Sequence, residues 1–233
     1  MNFQKCLLLV GAILAFYLES CVPVYIPNTI DAPLLKNAGE VRIAANTGTT
    51  GWDFQTAVAV SGAIGIMANG SFGSKSSLDS LSYNVHNYLE GALGYYMPVT
   101  ANGTMEMFAG AGVGRSTSSD AWTNSSSSQI IATGWYTRYF FQMDIGAYGD
   151  IADGGFGMRA SYVHFTKIQD KEGNITSNLD GLFAEPFIFG ALGGPSVKFT
   201  AQMGVSWPLR DNIRFQWMPF VMNVGLQINI NRK

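Results

Sequence analysis

Phe220-Val221-Met222-Asn223-Val224-Gly225-Leu226-Gln227-Ile228-Asn229-Ile230 alternates between two kinds of residue. Every even position is apolar, and the odd ones from Asn223 onward are Asn, Gly, Gln and Asn. Successive side chains of a strand point to opposite faces, so this stretch makes one greasy face and one polar face. The pattern recurs upstream. Met105, Met107, Ala109, Ala111 and Val113 alternate with Glu106, Phe108, Gly110, Gly112 and Gly114. Tyr139, Phe141, Met143 and Ile145 alternate with Arg138, Phe140, Gln142 and Asp144. Phe199, Ala201, Met203, Val205 and Trp207 alternate with Lys198, Thr200, Gln202, Gly204 and Ser206. Ten such strands are expected, near residues 40–47, 51–60, 63–73, 83–98, 104–116, 130–149, 155–168, 181–192, 196–209 and 214–230.

Alternation does not say which face is outside. A soluble lipocalin-like barrel would turn the greasy face inward. Composition decides against it. Charged residues make up 13% of the chain, where a soluble domain carries roughly 25%. The polar face is mostly Gly, Ser, Thr, Asn and Gln, which suits a narrow lumen. The apolar face then meets lipid, and strands of about ten residues cross the hydrocarbon core when tilted. The expected fold class is all-β: a transmembrane antiparallel up-and-down β-barrel of about ten strands over residues 40–233.

The N-terminus reads as a secretion signal over residues 1–20. Lys5 supplies a positive charge, and the apolar run Cys6 to Leu18 is too short to span a bilayer as a helix. It ends in Leu18-Glu19-Ser20-Cys21, similar to the lipobox after which a signal peptidase cuts and the cysteine is acylated; Glu19 is an unusual residue there. Once Cys6 leaves with the signal, Cys21 is the sole thiol of the mature chain. Residues 21–39, with Pro23, Pro27 and Pro33, are expected to form a lipid-anchored periplasmic linker: a flexible tether, a segment along the periplasmic mouth of the barrel, or one that enters it.

Turn lengths set the topology. The connections at 61–62, 100–103, 150–154 and 193–195 are short, whereas 74–82, 117–129 and 169–180 are longer and hydrophilic. The first and ninth, at 47–50 and 210–213, are also short. Barrels of this type keep short turns in the periplasm and longer loops outside. An even strand count puts both termini in the periplasm. Trp52, Trp135, Trp207 and Trp217 map to extracellular strand ends, and Tyr95 and Tyr148 to periplasmic ends, as in the aromatic girdles at headgroup level.

Tyr25-Ile26-Pro27-Asn28-Thr29-Ile30-Asp31-Ala32-Pro33-Leu34-Leu35, following a lipobox cysteine, resembles the opening of small outer-membrane barrel lipoproteins of Bacteroidota. Arg138 to Gly146 and Arg159-Ala160-Ser161-Tyr162-Val163 are similar to the same group. The resemblance implies an outer-membrane location and, as partners, outer-membrane lipid and the barrel-assembly and lipoprotein-processing machineries. It implies no activity. The chain lacks the terminal aromatic of many such barrels, since Ile230 is followed by Asn231-Arg232-Lys233.

Parity places Arg42, Asp53, Glu90, Glu106, Arg138, Asp144, Arg159, Glu185 and Lys198 in the lumen. Mixed signs point to a closed network of ion pairs, because a selective pore would carry a ring of one sign. A hairpin centred on Ile151-Ala152 would set Asp144 against Arg159. Catalytic chemistry has little to draw on. His86 lies on the inward parity near Glu90, and His164 lies on the opposite face from Ser161, a poor nucleophile–base pair. No HExxH, CxxC or P-loop occurs, so no cofactor, catalytic residue or metal site is expected. A net charge of −2 without a basic stripe argues against nucleic acid. The expected function is a non-enzymatic outer-membrane lipoprotein with a structural or surface-binding role toward an unknown extracellular ligand. The alternatives are a small channel for polar solutes, and a lipid-modifying or proteolytic enzyme with a rim site.

Overall fold

A computed structural model describes residues 23–76, 83–119 and 131–231. Among them are eleven strand segments: β1 (Val41–Gly48), β2 (Gly51–Ala59), β3 (Ile64–Ser76), β4 (Tyr83–Thr100), β5 (Gly103–Ser118), β6 (Ala132–Ala147), β7 (Ala152–Asp170), β8 (Ile175–Gly193), β9 (Val197–Val205), β10 (Trp207–Pro208) and β11 (Phe220–Ile230). β10 pairs with β8, as β9 does, and so continues β9 past a break at Ser206. The segments therefore make ten staves. Each pairs antiparallel with its sequence neighbour, and β11 pairs with both β9 and β1, which closes the sheet into an up-and-down barrel. Closure removes the sheet edges around the belt, while among the described residues Ile175 to Gly181 of β8 rise past β9 and β10 and pair with β7 alone.

The parity argument holds for the wall. Outward positions are large, apolar and open: Phe199 is 71% exposed, Leu192 64% and Leu93 62%. All nine charged residues assigned to the lumen are buried. The alternation thus puts the greasy face outside, the reverse of a soluble barrel. Bulky inward rings fit because glycine faces them across the strand pair. A Cβ on Gly94 would stand 2.1 Å from the Phe108 ring, and one on Gly112 would stand 2.1 Å from the Tyr88 hydroxyl.

One mouth carries the turns at 60–63, 101–102, 148–151 and 194–196, together with the paired ends Val41 and Ile230. We call it the short-turn mouth. The other, the long-loop mouth, carries the connections at 49–50, 77–82, 119–131, 171–174 and 209–219. The wall is taller on one side, since β4 to β8 run 16 to 19 residues whereas β1 and β2 have 8 and 9.

Several expectations need correction. The connection expected at 169–180 is a tight turn at 171–174 on a hairpin that β7 and β8 extend outward. The ninth connection is long, at 209–219, because β11 begins only at Phe220. Ile213, Phe215 and Trp217 mimic strand alternation there, but they fold inward onto an aromatic cluster. In the β6–β7 hairpin Asp144 faces Gly157 and Gln142 faces Arg159, two residues from the expected register. Near the other end of that hairpin Trp135 pairs with Lys167 and Tyr136 with Phe165, so Thr166 is an extra residue, a bulge. Most of the connections expected at 74–82 and 117–129 lies outside the described residues.

The segment before β1 follows one of the alternatives expected for it. Every residue from Pro23 to Leu35 is buried. It is the segment that enters the barrel and not a free tether. It runs through the lumen from the long-loop mouth to the short-turn mouth. Tyr25 bridges Trp217 at the first, and Asn231 donates to the Gly39 carbonyl at the second. Pro23 and Asn231 therefore lie at opposite mouths, and the two ends of the described chain do not share a side.

Candidate functional site: a plugged lumen

Three layers hold the N-terminal segment. At the long-loop mouth, Val24 and Tyr25 pack into an aromatic cluster. Tyr25 meets Tyr136 edge-on at 5.8 Å and Phe183 at 5.2 Å, while Tyr88 stacks on Tyr136 at 5.7 Å. Offset and edge-to-face contacts of this kind are each worth about 0.5–1.5 kcal/mol beyond the area they bury. The polar residues beneath it, Asn28, Glu90, Arg138 and Arg159 among them, are buried.

The middle layer is polar and is centred on Glu90. Its Oε1 accepts from Asn28 and Asn69, each at 3.0 Å. Its Oε2 accepts from the Tyr88 hydroxyl at 3.0 Å and from Arg138. The Arg159 guanidinium approaches both oxygens, at 3.4 and 3.5 Å. Asn28 joins the two halves of the network, since its Oδ1 accepts from Arg138 and Arg159 while its amide donates to Glu90. Arg138 also lies over the Tyr88 ring at 4.4 Å and Arg159 over Phe140 at 4.3 Å. Both cations are thus enclosed by a carboxylate, an amide and aromatic faces, as buried charge requires.

The same layer continues around the wall. Asp53 accepts from the Thr29 amide at 3.2 Å and from the Thr50 hydroxyl at 2.6 Å. Gln202 both donates to the Ile30 carbonyl and accepts from the Ile30 amide, each at 2.7 Å, as a partner strand would. Gln142 donates to the Asp31 carbonyl at 2.7 Å. Asp31 pairs with Arg42 at 3.1 Å, and Glu185 accepts from Tyr25 at 3.2 Å and Ser161 at 2.6 Å.

At the short-turn mouth the chain turns sharply. Leu34 has φ 50°, a left-handed conformation that a Leu adopts only when its surroundings impose it. The imposing group is Glu106. Its two oxygens accept from the successive amides of Leu34 and Leu35, at 2.8 and 2.7 Å. Below, Leu35 packs with Ala57, Met67, Tyr96 and Phe108. Lys198 pairs with Asp153 at 2.7 Å nearby.

Pro23 to Leu35 thus makes polar contacts with β1, β2, β4, β5, β6, β7, β8, β9 and β11, nine of the ten staves. Two small cavities flank it, of about 20 and about 10 Å³. A water needs about 10–15 Å³ on this measure, so each has room for about one.

The individual charges are distributed differently from expectation. Arg159 pairs with Glu90 and not with Asp144. Asp144 instead accepts from Gln142 at 2.7 Å and stands opposite Glu106. Sequence reasoning missed Asn28, Thr29, Asp31 and Asp153. The available signal was hydrophobicity: Val24, Tyr25, Ile26, Ile30, Leu34 and Leu35 are too apolar for a solvated tether.

Of the expected girdle, Trp52 and Trp207 face outward at 57% and 65% exposure, and Tyr95 does so at the opposite mouth. Trp135 faces outward between two cations. Trp217 does not belong, because it packs inward on Phe183 at 5.8 Å. Nor does Tyr148, which is buried beneath Lys36 at the short-turn mouth. Cys21 lies outside the described residues.

The catalytic candidates stay apart. His86 is buried between Ser71 and Asn84, at 3.3 and 3.2 Å. Ser161 serves Glu185, while His164 faces outward and pairs with Asp180 at 2.5 Å. Among the described residues no group of three or more His, Cys, Asp or Glu could hold a metal ion. No protein-family model matches the chain, and no curated protein matches it.

Proposed function

We propose that this chain is a non-enzymatic outer-membrane β-barrel lipoprotein that is plugged by its own N-terminal segment and presents its long-loop face to an extracellular partner. The observation that carries this reading is the burial of every residue from Pro23 to Leu35 inside the barrel. A pore would need a continuous wet path, and the two cavities beside the segment, each with room for about one water, do not supply one. The apolar outer face and the difference between the two mouths support a membrane setting with the long loops outside.

The plug couples the lipid to the orientation. Pro23 stands at the long-loop mouth, where Asn84 donates to its carbonyl at 2.9 Å. Two residues of extended chain reach at most about 7 Å. Acyl chains on Cys21 would therefore join the leaflet at that mouth. With the long loops outside, this is a surface lipoprotein whose anchor lies in the outer leaflet, not a protein tethered from the periplasm.

Planar-bilayer recording of the purified protein tests the plug, with no stepwise conductance expected. Regular single-channel steps would favour the polar-solute channel. Intact mass tests the lipid, and an unmodified N-terminus at or beyond Val22 would refute it. Whole-cell labelling with an impermeant maleimide tests the orientation. Asn174→Cys should react and Asp150→Cys should not; the opposite result would turn the barrel over.

A further inference from the structure

The outer face of the wall is charged at one mouth only. Among the described strand residues that face outward, the charged ones are Arg115, Lys167 and Asp180, all toward the long-loop mouth. Arg115, Trp135, Lys167 and Ser177 stand opposite one another across β5, β6, β7 and β8. The Arg115 guanidinium carbon lies 5.2 Å from the Trp135 ring centre, and the Lys167 Nζ lies 4.2 Å from it. Two cations thus share one indole, one from each neighbouring strand.

Among the described residues, no ion pair includes Arg115 or Lys167. Asp180, in the neighbouring row of the wall, is engaged by His164 at 2.5 Å. Asp170 and Glu172 on the hairpin tip accept from Asn174. The indole face holds both cations in place but contributes no net charge. An anion would complete the arrangement, and a guanidinium beside an ammonium suits phosphate oxygens.

The position of the patch narrows the anion. The same row continues through Asn87 and Phe72 to Trp52, part of the aromatic boundary of the apolar wall. The next row toward the short-turn mouth is Val113, Thr137, His164 and Asp180, and the row beyond it is Ala111, Tyr139, Tyr162 and Leu182, with Val113 and Tyr139 exposed at 62% and 56%. A ligand seated here meets cations at its head, and along β5 and β6 its body runs past Val113 and Ala111 to Tyr139. We propose that Arg115, Trp135 and Lys167 form an outward-facing site for the phosphate of an anionic lipid headgroup. This rests on the membrane reading above.

The experiment uses the full chain in phosphatidylcholine vesicles doped with a small fraction of phosphatidic acid. Flotation and heat-modifiable gel mobility come first. A chain that neither floats nor folds refutes the membrane reading, and this site with it. For the folded protein, native mass spectrometry after detergent exchange counts retained phosphatidic acid. Retention at least tenfold stronger in the wild type than in Arg115→Gln with Lys167→Gln is expected. Phosphatidic acid should also change tryptophan emission, and Trp135→Phe should abolish that change. Equal retention in the double variant would overturn the site, and so would an equal emission change with inorganic phosphate alone. Both positions face outward from the wall, so the variant should fold; if it does not, Lys167→Gln alone is judged on the same retention.

Discussion

Replacing Glu90 by Gln changes one oxygen to an NH₂ group and leaves the shape intact. All five neighbours of that carboxylate are donors: Asn28, Asn69, Tyr88, Arg138 and Arg159. Whichever position the amide nitrogen takes, it points a donor at donors. At Oε1 it would meet Asn28, Asn69 and Arg159. Asn69 can turn its own amide, because its oxygen is otherwise unpartnered. Asn28 cannot, because its oxygen already accepts from both arginines. At Oε2 the nitrogen would meet Tyr88 and two guanidinium groups. The substitution also removes the acid that both buried cations pair with. Breaking one half of a buried ion pair costs about 3–5 kcal/mol, and the same range is expected here because the lost hydrogen bonds are part of it. Whole-protein stabilities are about 5–15 kcal/mol, so this is a large fraction. Urea unfolding of the vesicle-inserted protein, followed by heat-modifiable mobility, should show the midpoint falling by at least about 1 M, if the slope is roughly 3 kcal/mol per molar. A variant within about 1 kcal/mol of wild type would refute the claim that Glu90 is the hub between plug and wall.

Gly112→Ala should cost about 1–3 kcal/mol, because the new methyl would stand 2.1 Å from the Tyr88 hydroxyl and 2.6 Å from the Leu89 carbonyl oxygen. Gly62→Ala, with nothing within 4 Å, should stay within about 0.5 kcal/mol in the same titration. His164→Ala should change stability by less than about 1 kcal/mol, since the side chains of the His164–Asp180 pair are 31% and 39% exposed. On the hairpin tip the Asn174 side-chain amide holds the Asp170 carboxyl below its ordinary value. Its contribution to the tip is therefore present above the unfolded pKa and is lost as pH falls through the lower folded one. Asn174→Ala should raise the Asp170 titration midpoint measured by carbon-detected NMR, and an unchanged midpoint would refute that cause.

The wall was legible in the sequence because its period is two. A register error of an even number of residues leaves every face assignment intact. Asp144 and Arg159 show this: both are inward as expected, yet the true pair is Gln142 with Arg159. The four-residue turn at 148–151 sets that register, and parity says nothing about a turn's centre. The plug was not legible in the same way. Its prolines rule out helix and central strand, but they do not distinguish solvated chain from chain whose backbone is served by a lumen. Gln142, Gln202 and Glu106 supply those partners from strands more than seventy residues away. Trp217 misled for a related reason. An aromatic in an irregular connection can turn outward or toward the lumen, and the aromatic cluster that receives it is assembled from five other segments.

The left-handed turn at Leu34 and the nine-stave grip on residues 23–35 bear on how the barrel is built. A segment gripped by nine staves cannot be threaded through a finished wall without breaking those contacts. Nor can Tyr25 slide past the ring-lined mouth once Phe183 and Phe215 are seated around it. The wall must instead wrap around a segment already in place, as staves are set around a mandrel. The seam between β1 and β11, which joins residues nearly two hundred positions apart, is then the step that imprisons the segment. Synthesis delivers the mandrel first and the closing stave last, which is the order such an assembly requires.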